Sequence, residues 1–166
     1  CVVGYKKAFM PAAEKAQQVA QDAKKYGRLL SALAVYPIRL PKNGKEILES
    51  RTFTDWLGNG CHPLSFLVSV CGKPVAVTTK VQDDGVGVCY VEFENGVMGL
   101  LCLASGPLPI ERYSLFGERY HLEIENTDRV VLARGIPFEY GRTESFVTEN
   151  DNCGSVVWEP QNGLAT

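Results

Sequence analysis

The sequence has no apolar run approaching the roughly 18 to 20 residues that a membrane-spanning helix needs, nor a basic segment followed by an apolar one at its start. A membrane partner and secretion are not indicated. Charge of one sign is missing as well: 17 Lys and Arg against 19 Asp and Glu give a formal charge of -2 without a basic block, which argues against a groove that tracks a phosphate backbone. No nucleic acid is expected as partner. The six cysteines include no CxxC pair, and neither of the two histidines is spaced against a cysteine or an acid as zinc ligands are, so no metal site is expected. Cys1, Cys61, Cys71, Cys89, Cys102 and Cys153 read as buried thiols of a cytoplasmic protein. What is present is apolar: 45% hydrophobic against 22% charged residues, over 166 positions, suits one domain with its own core. The opening Cys1-Val2-Val3-Gly4-Tyr5, strand-like and without an initiator Met, is read as the start of a fragment.

Pro11 stands at a first helical position, and Ala12, Ala13, Ala16, Val19, Ala20, Ala23 and Tyr26 recur at helical spacing until Gly27 stops them. This predicts an amphipathic helix whose small apolar face lies close to a sheet. The stretch Arg28 to Leu40 is strand-like, Pro41 to Lys45 forms a polar turn, and a loop-rich stretch follows to Asp55. Two glycines and an asparagine crowd the segment Asp55 to Pro63, which predicts a bent backbone. A buried helix then begins, apolar nearly all round from Leu64 to Cys71, and stops at Gly72.

From Val75 the period changes to two, with strands predicted at 75–81, 86–94, 97–104, 110–116, 120–125 and 129–133. Asn95-Gly96 signals a two-residue hairpin turn, and short turns at 83–85, 117–119 and 126–128 predict an antiparallel meander. The strand at Val97 to Leu103 is apolar on both faces, hence central or at an interface. Beyond Gly135 the sequence is irregular, with Val156, Val157 and Trp158 as a late apolar anchor.

His62 is the one residue with chemistry to offer. With Pro63 as first helical residue, His62 falls at the N-cap, where unpaired N–H groups and the helix dipole oppose protonation of the ring. A neutral imidazole is what a general base needs to take a proton from a hydroxyl. The other reading is a histidine that only caps a helix. His121, on the polar side of an alternating strand beside Glu123, reads as a surface side chain.

The run Val3-Gly4-Tyr5-Lys6-Lys7-Ala8-Phe9-Met10-Pro11 and its Ala-rich helix, then Gly60-Cys61-His62-Pro63-Leu64 leading into a helix that ends Gly72-Lys73-Pro74, then a hairpin-rich sheet with Phe116-Gly117, resembles the C-terminal domain of the Gfo/Idh/MocA oxidoreductases. The resemblance covers about Val2 to about Gly135, in order. It implies an α+β fold: an open, mostly antiparallel sheet of about six strands with helices packed on one face, like the C-terminal domain of glyceraldehyde-3-phosphate dehydrogenase. It implies that residues 1–166 form one substrate-binding and oligomerisation domain, with an N-terminal Rossmann domain for NAD or NADP lying outside this chain. His62 then matches the family's proton-transfer histidine; Lys7, by itself an ordinary solvated lysine, falls near a basic position of the strand that reaches substrate in several relatives; and Asp55 or Asn59 can substitute in part for the family's acids in substrate binding, Asp55 reading equally as a loop residue or a cap. The family often carries an aspartate four residues before the histidine and another three after it; here those positions are Gly58 and Ser65.

No strand followed by G-x-G-x-x-G occurs, so no cofactor-binding residue is assigned and the chain alone is expected to be inactive. The reading favoured is part of an NAD(P)-dependent dehydrogenase acting on a secondary hydroxyl of a sugar or polyol, assembled as a homodimer or tetramer through the sheet. A non-catalytic ligand-binding or scaffold relative that has lost the acids is the alternative. A self-contained sheet module that pairs through its apolar strand is a third.

Overall fold

The computed structural model describes residues 5–51, 54–103, 111–126, 129–134 and 155–158, the last four and residue 55 by backbone alone. The opening strand expected at Cys1 to Tyr5, the thiols Cys1 and Cys153 and the tail from 135 to 154 lie outside the described residues, apart from Tyr5.

A 3-10 turn, Lys6–Phe9, leads through Met10 into helix α1, Pro11–Gln21. Pro at the first helical position has no N–H to leave unpaired, and the face Ala12, Ala13, Ala16 and Val19 is fully buried against the sheet and a second long helix. Asp22 interrupts the predicted helix: its backbone leaves the helical region and its side chain accepts from Lys25 N (3.1 Å), starting the single turn α2, Ala23–Tyr26, which Gly27 ends. Strand β1 is Leu29–Tyr36. The stretch expected to be a loop holds a short helix α3, Gly44–Ser50, which buries none of its residues.

Helix α4 runs Asp55–Cys71, and here expectation and structure part. The Gly/Asn segment is helical, and the cap is Thr54, whose hydroxyl accepts from Leu57 N (3.4 Å), so His62 and Pro63 lie in the helix interior. Pro63 removes one N–H and Gly58 and Gly60 add entropic cost, yet the turns hold because Pro63 is fully buried and its neighbours pack on the sheet. Tertiary burial overrides propensity.

The remaining strands are β2 Pro74–Val81, β3 Gly87–Phe93, β4 Met98–Leu103, β5 Arg112–Gly117, β6 Tyr120–Glu125, β7 Arg129–Arg134 and β8 Ser155–Trp158. They form one eight-stranded sheet rather than about six, in the order β2-β3-β4-β1-β5-β6-β7-β8. The hairpins are antiparallel as expected, but the meander is divided: β1 inserts between β4 and β5, parallel to β4 (Leu33 beside Leu100) and antiparallel to β5 (Leu33 beside Ser114). The open, mostly antiparallel α+β architecture stands.

Pairing register assigns the two faces. Ala32, Ala34, Leu101, Leu115, Leu122, Ile124 and Val130 are buried on the face that α1 and α4 cover. The other face carries Leu33, Leu100, Tyr90, Met98, Val88 and Phe116, with Met98 48% exposed. The two-faced apolar strand is thus central, with one face open.

The β3–β4 turn differs from a two-residue I′ hairpin. Gly96 N donates to Phe93 O (2.9 Å) and Phe93 N to Val97 O (3.1 Å), so three residues form the loop, and Gly96 alone takes a positive φ (81°). Asn95 acts through its side chain: Nδ2 donates to the last-turn carbonyl of Cys71 (2.8 Å) and Oδ1 accepts from Val97 N (3.1 Å), tying the hairpin to the end of α4.

Candidate functional site

Three elements converge on the middle of α4. The 3-10 turn presents Lys6 and Lys7 and is held to α1 by Gln17 Nε2, which donates to Ala8 O (2.9 Å). Strand β1 ends at Tyr36, α4 carries Cys61 and His62, and Glu111 stands just before β5. Lys7 was expected on a strand beside substrate; it lies on the turn, and its ammonium is ion-paired with Glu111 Oε1, with side chains 14% and 7% exposed. Glu111 Oε2 accepts from Tyr113 Oη (3.1 Å). Tyr113 is fully buried on the helix-covered face, its ring tilted against Phe66 of α4 with centroids 4.2 Å apart.

His62 is half-buried, not sealed in the core. Its Nδ1 lies 3.8 Å from Cys61 Sγ, which donates to Gly58 O (3.1 Å). The ring is held below its ordinary pKa of 6.5, first by burial and then by the Lys7 and Lys6 charges, with Glu111 pulling the other way. The helix dipole is therefore not the cause expected, since the free N–H groups of α4 belong to its first turn, two turns away. The direction of the shift agrees with the expectation; its origin is desolvation and lysine.

The other expected site residues fare differently. Asn59 is exposed, one turn before His62 on α4. Asp55 is the first residue of α4, and its side chain lies outside those described. At the position where an acid was noted as missing, Ser65 Oγ donates back to His62 O (2.8 Å), a local helical bond that offers no carboxylate. His121 is more than a surface side chain: it stacks on Phe116 (centroids 4.6 Å apart, 7° between planes) with Nε2 3.6 Å from Glu123 Oε1, on the open face and away from α4.

Glu111 escaped the sequence reading. It opens what reads as an ordinary alternating strand, and its partner Lys7 is 104 positions away. The only signal was a carboxylate at the border of an apolar strand.

Two cavities flank α4. One of about 270 Å³ lies between the helix and the sheet, lined by apolar side chains including Ile38, Trp56, Leu57, Cys89 and Leu101; the other, about 450 Å³, lies toward the 3-10 turn, bordered by Tyr5, Phe9, Ser65 and Val68. Cys61 and Leu64 border both, and His62 neither. The half-buried imidazole thus borders neither cavity, and it lies within the electrostatic reach of Lys6 and Lys7.

The thiols differ from the expected buried set. Among the described residues four cysteines are free, and Cys71 alone is buried, its thiol pushed up to about 12; Cys61, Cys89 and Cys102 are half-exposed, and burial raises the last two.

No family model and no curated protein matches the sequence. Solved structures do match in fold. An NAD-binding oxidoreductase from Klebsiella pneumoniae superposes with a TM-score of 0.67 at 14% identity, over 93% of this chain and 46% of that one. Levoglucosan dehydrogenase in complex with NADH and L-sorbose gives 0.66 at 14% identity, over 95% and 46%. The WlbA dehydrogenase of Bordetella pertussis, in complex with NADH and UDP-GlcNAcA, gives 0.54 at 12% identity, over 73% and 41%. The chain spans less than half the length of these proteins. Element order, sheet and coverage together show that the chain has the fold of the C-terminal domain of the Gfo/Idh/MocA-type oxidoreductases.

Proposed function

We infer that this chain is the substrate-binding and oligomerisation domain of an NAD(P)-dependent oxidoreductase acting on a secondary hydroxyl of a sugar or polyol, with His62 as the acid/base. The observation that carries the reading is the half-buried imidazole, its pKa lowered by burial and by the two lysines, on the helix that the lysine-bearing turn adjoins. Supporting it, two proteins of the same fold are seen with NADH together with L-sorbose or UDP-GlcNAcA. A glycine-rich dinucleotide turn is missing from this sequence, so cofactor binding falls to a domain outside it, and the isolated chain is inactive. The four free thiols suit a reducing cytoplasm.

Hydride acceptance is the chemistry that a bound nicotinamide supplies. His62 takes the proton of the hydroxyl as its carbon is oxidised, and returns one in reduction. Because Nδ1 faces Cys61 Sγ, Nε2 is the nitrogen assigned to the proton. Asn59, one turn away on the exposed side of α4, is placed to bond a neighbouring hydroxyl. Lys7 acts as a fixed charge beside the ring, its ammonium being paired with Glu111.

Full-length protein tested with NAD and NADP against a panel of sugars and polyols is expected to form reduced cofactor, with His62→Gln losing about 100-fold or more of kcat/KM. Equal activity in that variant removes the assigned role. The back-bonding of Ser65 and the glycine at 58 favour a second reading, a non-catalytic ligand-binding relative. Ligand binding without turnover by the wild type would select it.

A further inference from the structure

Glu111 is, with Ser114, one of two buried polar or charged residues among those described, at 5% exposure, and the reaction outlined above gives it no step. A carboxylate withdrawn from water is costly unless each oxygen has a donor. Both are supplied, from opposite sides: Lys7 Nζ at Oε1 and Tyr113 Oη at Oε2. The backbone is held too, with Glu111 N donating to Asn126 Oδ1 (2.9 Å) and Asn126 N to Glu111 O (2.9 Å). Tyr113 is fixed by full burial against Phe66, which is four residues after His62 and so on the same face of α4. The helix that bears the imidazole and the turn that bears the lysine are thus joined through Phe66, Tyr113, Glu111 and Lys7 in a continuous series of contacts.

We propose that Glu111, braced by Tyr113, is the positioning residue that anchors the Lys7 ammonium beside His62. Without it the lysine, a long flexible side chain, extends its charge into solvent and is screened there. The inference rests on His62 being the working group of the site. The charged and titratable groups around that ring are Lys6 and Lys7 from the 3-10 turn, Glu111 from the start of β5 and Cys61 from α4 itself, with Tyr36 of β1 beside Glu111 and Cys61. Lys6 is exposed and has no ion-pair partner among the described residues, so the comparison below isolates Lys7.

The test is a histidine-ring titration by NMR in the full-length protein, with the His62 resonance assigned by its loss in His62→Gln. Lys7→Met is compared in the wild-type and Glu111→Gln backgrounds. In the wild type, removing the lysine raises the His62 pKa; in the Glu111→Gln background the same change has less than about half that effect, and Glu111→Asp restores part of it. An equal Lys7→Met shift in both backgrounds, or none in the wild type, overturns the proposal. Should thermal melts show that Glu111→Gln does not fold, Glu111→Asp, which draws the carboxylate back from Lys7 by one methylene, serves as the background instead; a reduced Lys7→Met shift there supports the proposal and an undiminished one overturns it. The readout needs no turnover, so an active His62→Gln enzyme with coupled shifts sinks only the proposed function, whereas additive shifts in an enzyme that depends on His62 sink only the role of Glu111.

Discussion

Tyr120 shows what an unpaired polar atom means at the scale of one residue. Its ring is buried against Tyr26, edge-on with centroids 5.9 Å apart, while its hydroxyl has no hydrogen-bond partner among the described residues. Removing a buried hydroxyl without a partner forfeits no bond, so Tyr120→Phe is expected to leave the melting midpoint unchanged or raise stability by up to about 1 kcal/mol. A clear loss in a denaturant titration would show that the hydroxyl is bonded in solution. Glu111 is the opposite case, a buried carboxylate whose every oxygen has a donor. His62 stood out in the sequence because histidine is rare here and sits among glycines before a proline; the cause of its lowered pKa did not, since burial and the lysines of a distant turn act on it only after folding. Glu111 and Tyr113 were illegible for the same reason. Nothing local in Ile110-Glu111-Arg112 announces a partner near the other end of the chain.

Among the elements, the hairpins were the most readable, because period-two patterning and turn residues are local signals. Gly96 and Gly117 separate the two reasons a turn needs glycine. Nothing lies within 4 Å of a Cβ built on Gly96, so only its φ of +81° resists substitution, and Gly96→Ala is expected to cost about 1 to 2 kcal/mol. A Cβ on Gly117 would meet the Tyr120 ring at 1.9 Å, a contact that requires the buried ring to move. Gly117→Ala is therefore expected to cost more than Gly96→Ala in the same denaturant titration; the reverse order would contradict the packing described for Tyr120. Helix α4 was the main misreading. Glycine, asparagine and proline argued locally for a bend, and the burial of Pro63 and its neighbours on the sheet decided for a helix. Its true cap, Thr54, was hidden by that same expectation. Helix α3, which buries none of its residues, left no periodic trace to read.

For the whole molecule, the α+β class was readable from a helical period followed by a strand period, whereas the insertion of β1 between β4 and β5 was not, since a parallel pairing between Leu33 and Leu100 leaves no turn to mark it. That insertion makes one broad sheet with helices on one side. The other side carries Met98 and Phe116 at 48% and 40% exposure, beside Leu33, Leu100 and Tyr90, the apolar surface that the proposed oligomerisation role would use. On that proposal, Met98→Glu is expected to lower the sedimentation coefficient of the protein without costing more than about 1 kcal/mol of stability, since the residue is half exposed in the single chain. An unchanged sedimentation coefficient would locate the contact elsewhere.

The proposed role of His62, proton transfer from a fold shared with dehydrogenase domains, joins these scales. It is tested most directly by the pH dependence of kcat/KM for NAD(P)-linked oxidation by the full-length protein and its His62→Gln variant. A base must be unprotonated, and the ring's pKa is lowered from 6.5, so activity should fall on the acid side with an apparent pKa below that value. In the variant this limb should vanish together with most of the rate. The same acid limb in both proteins, at comparable rates, would contradict the account.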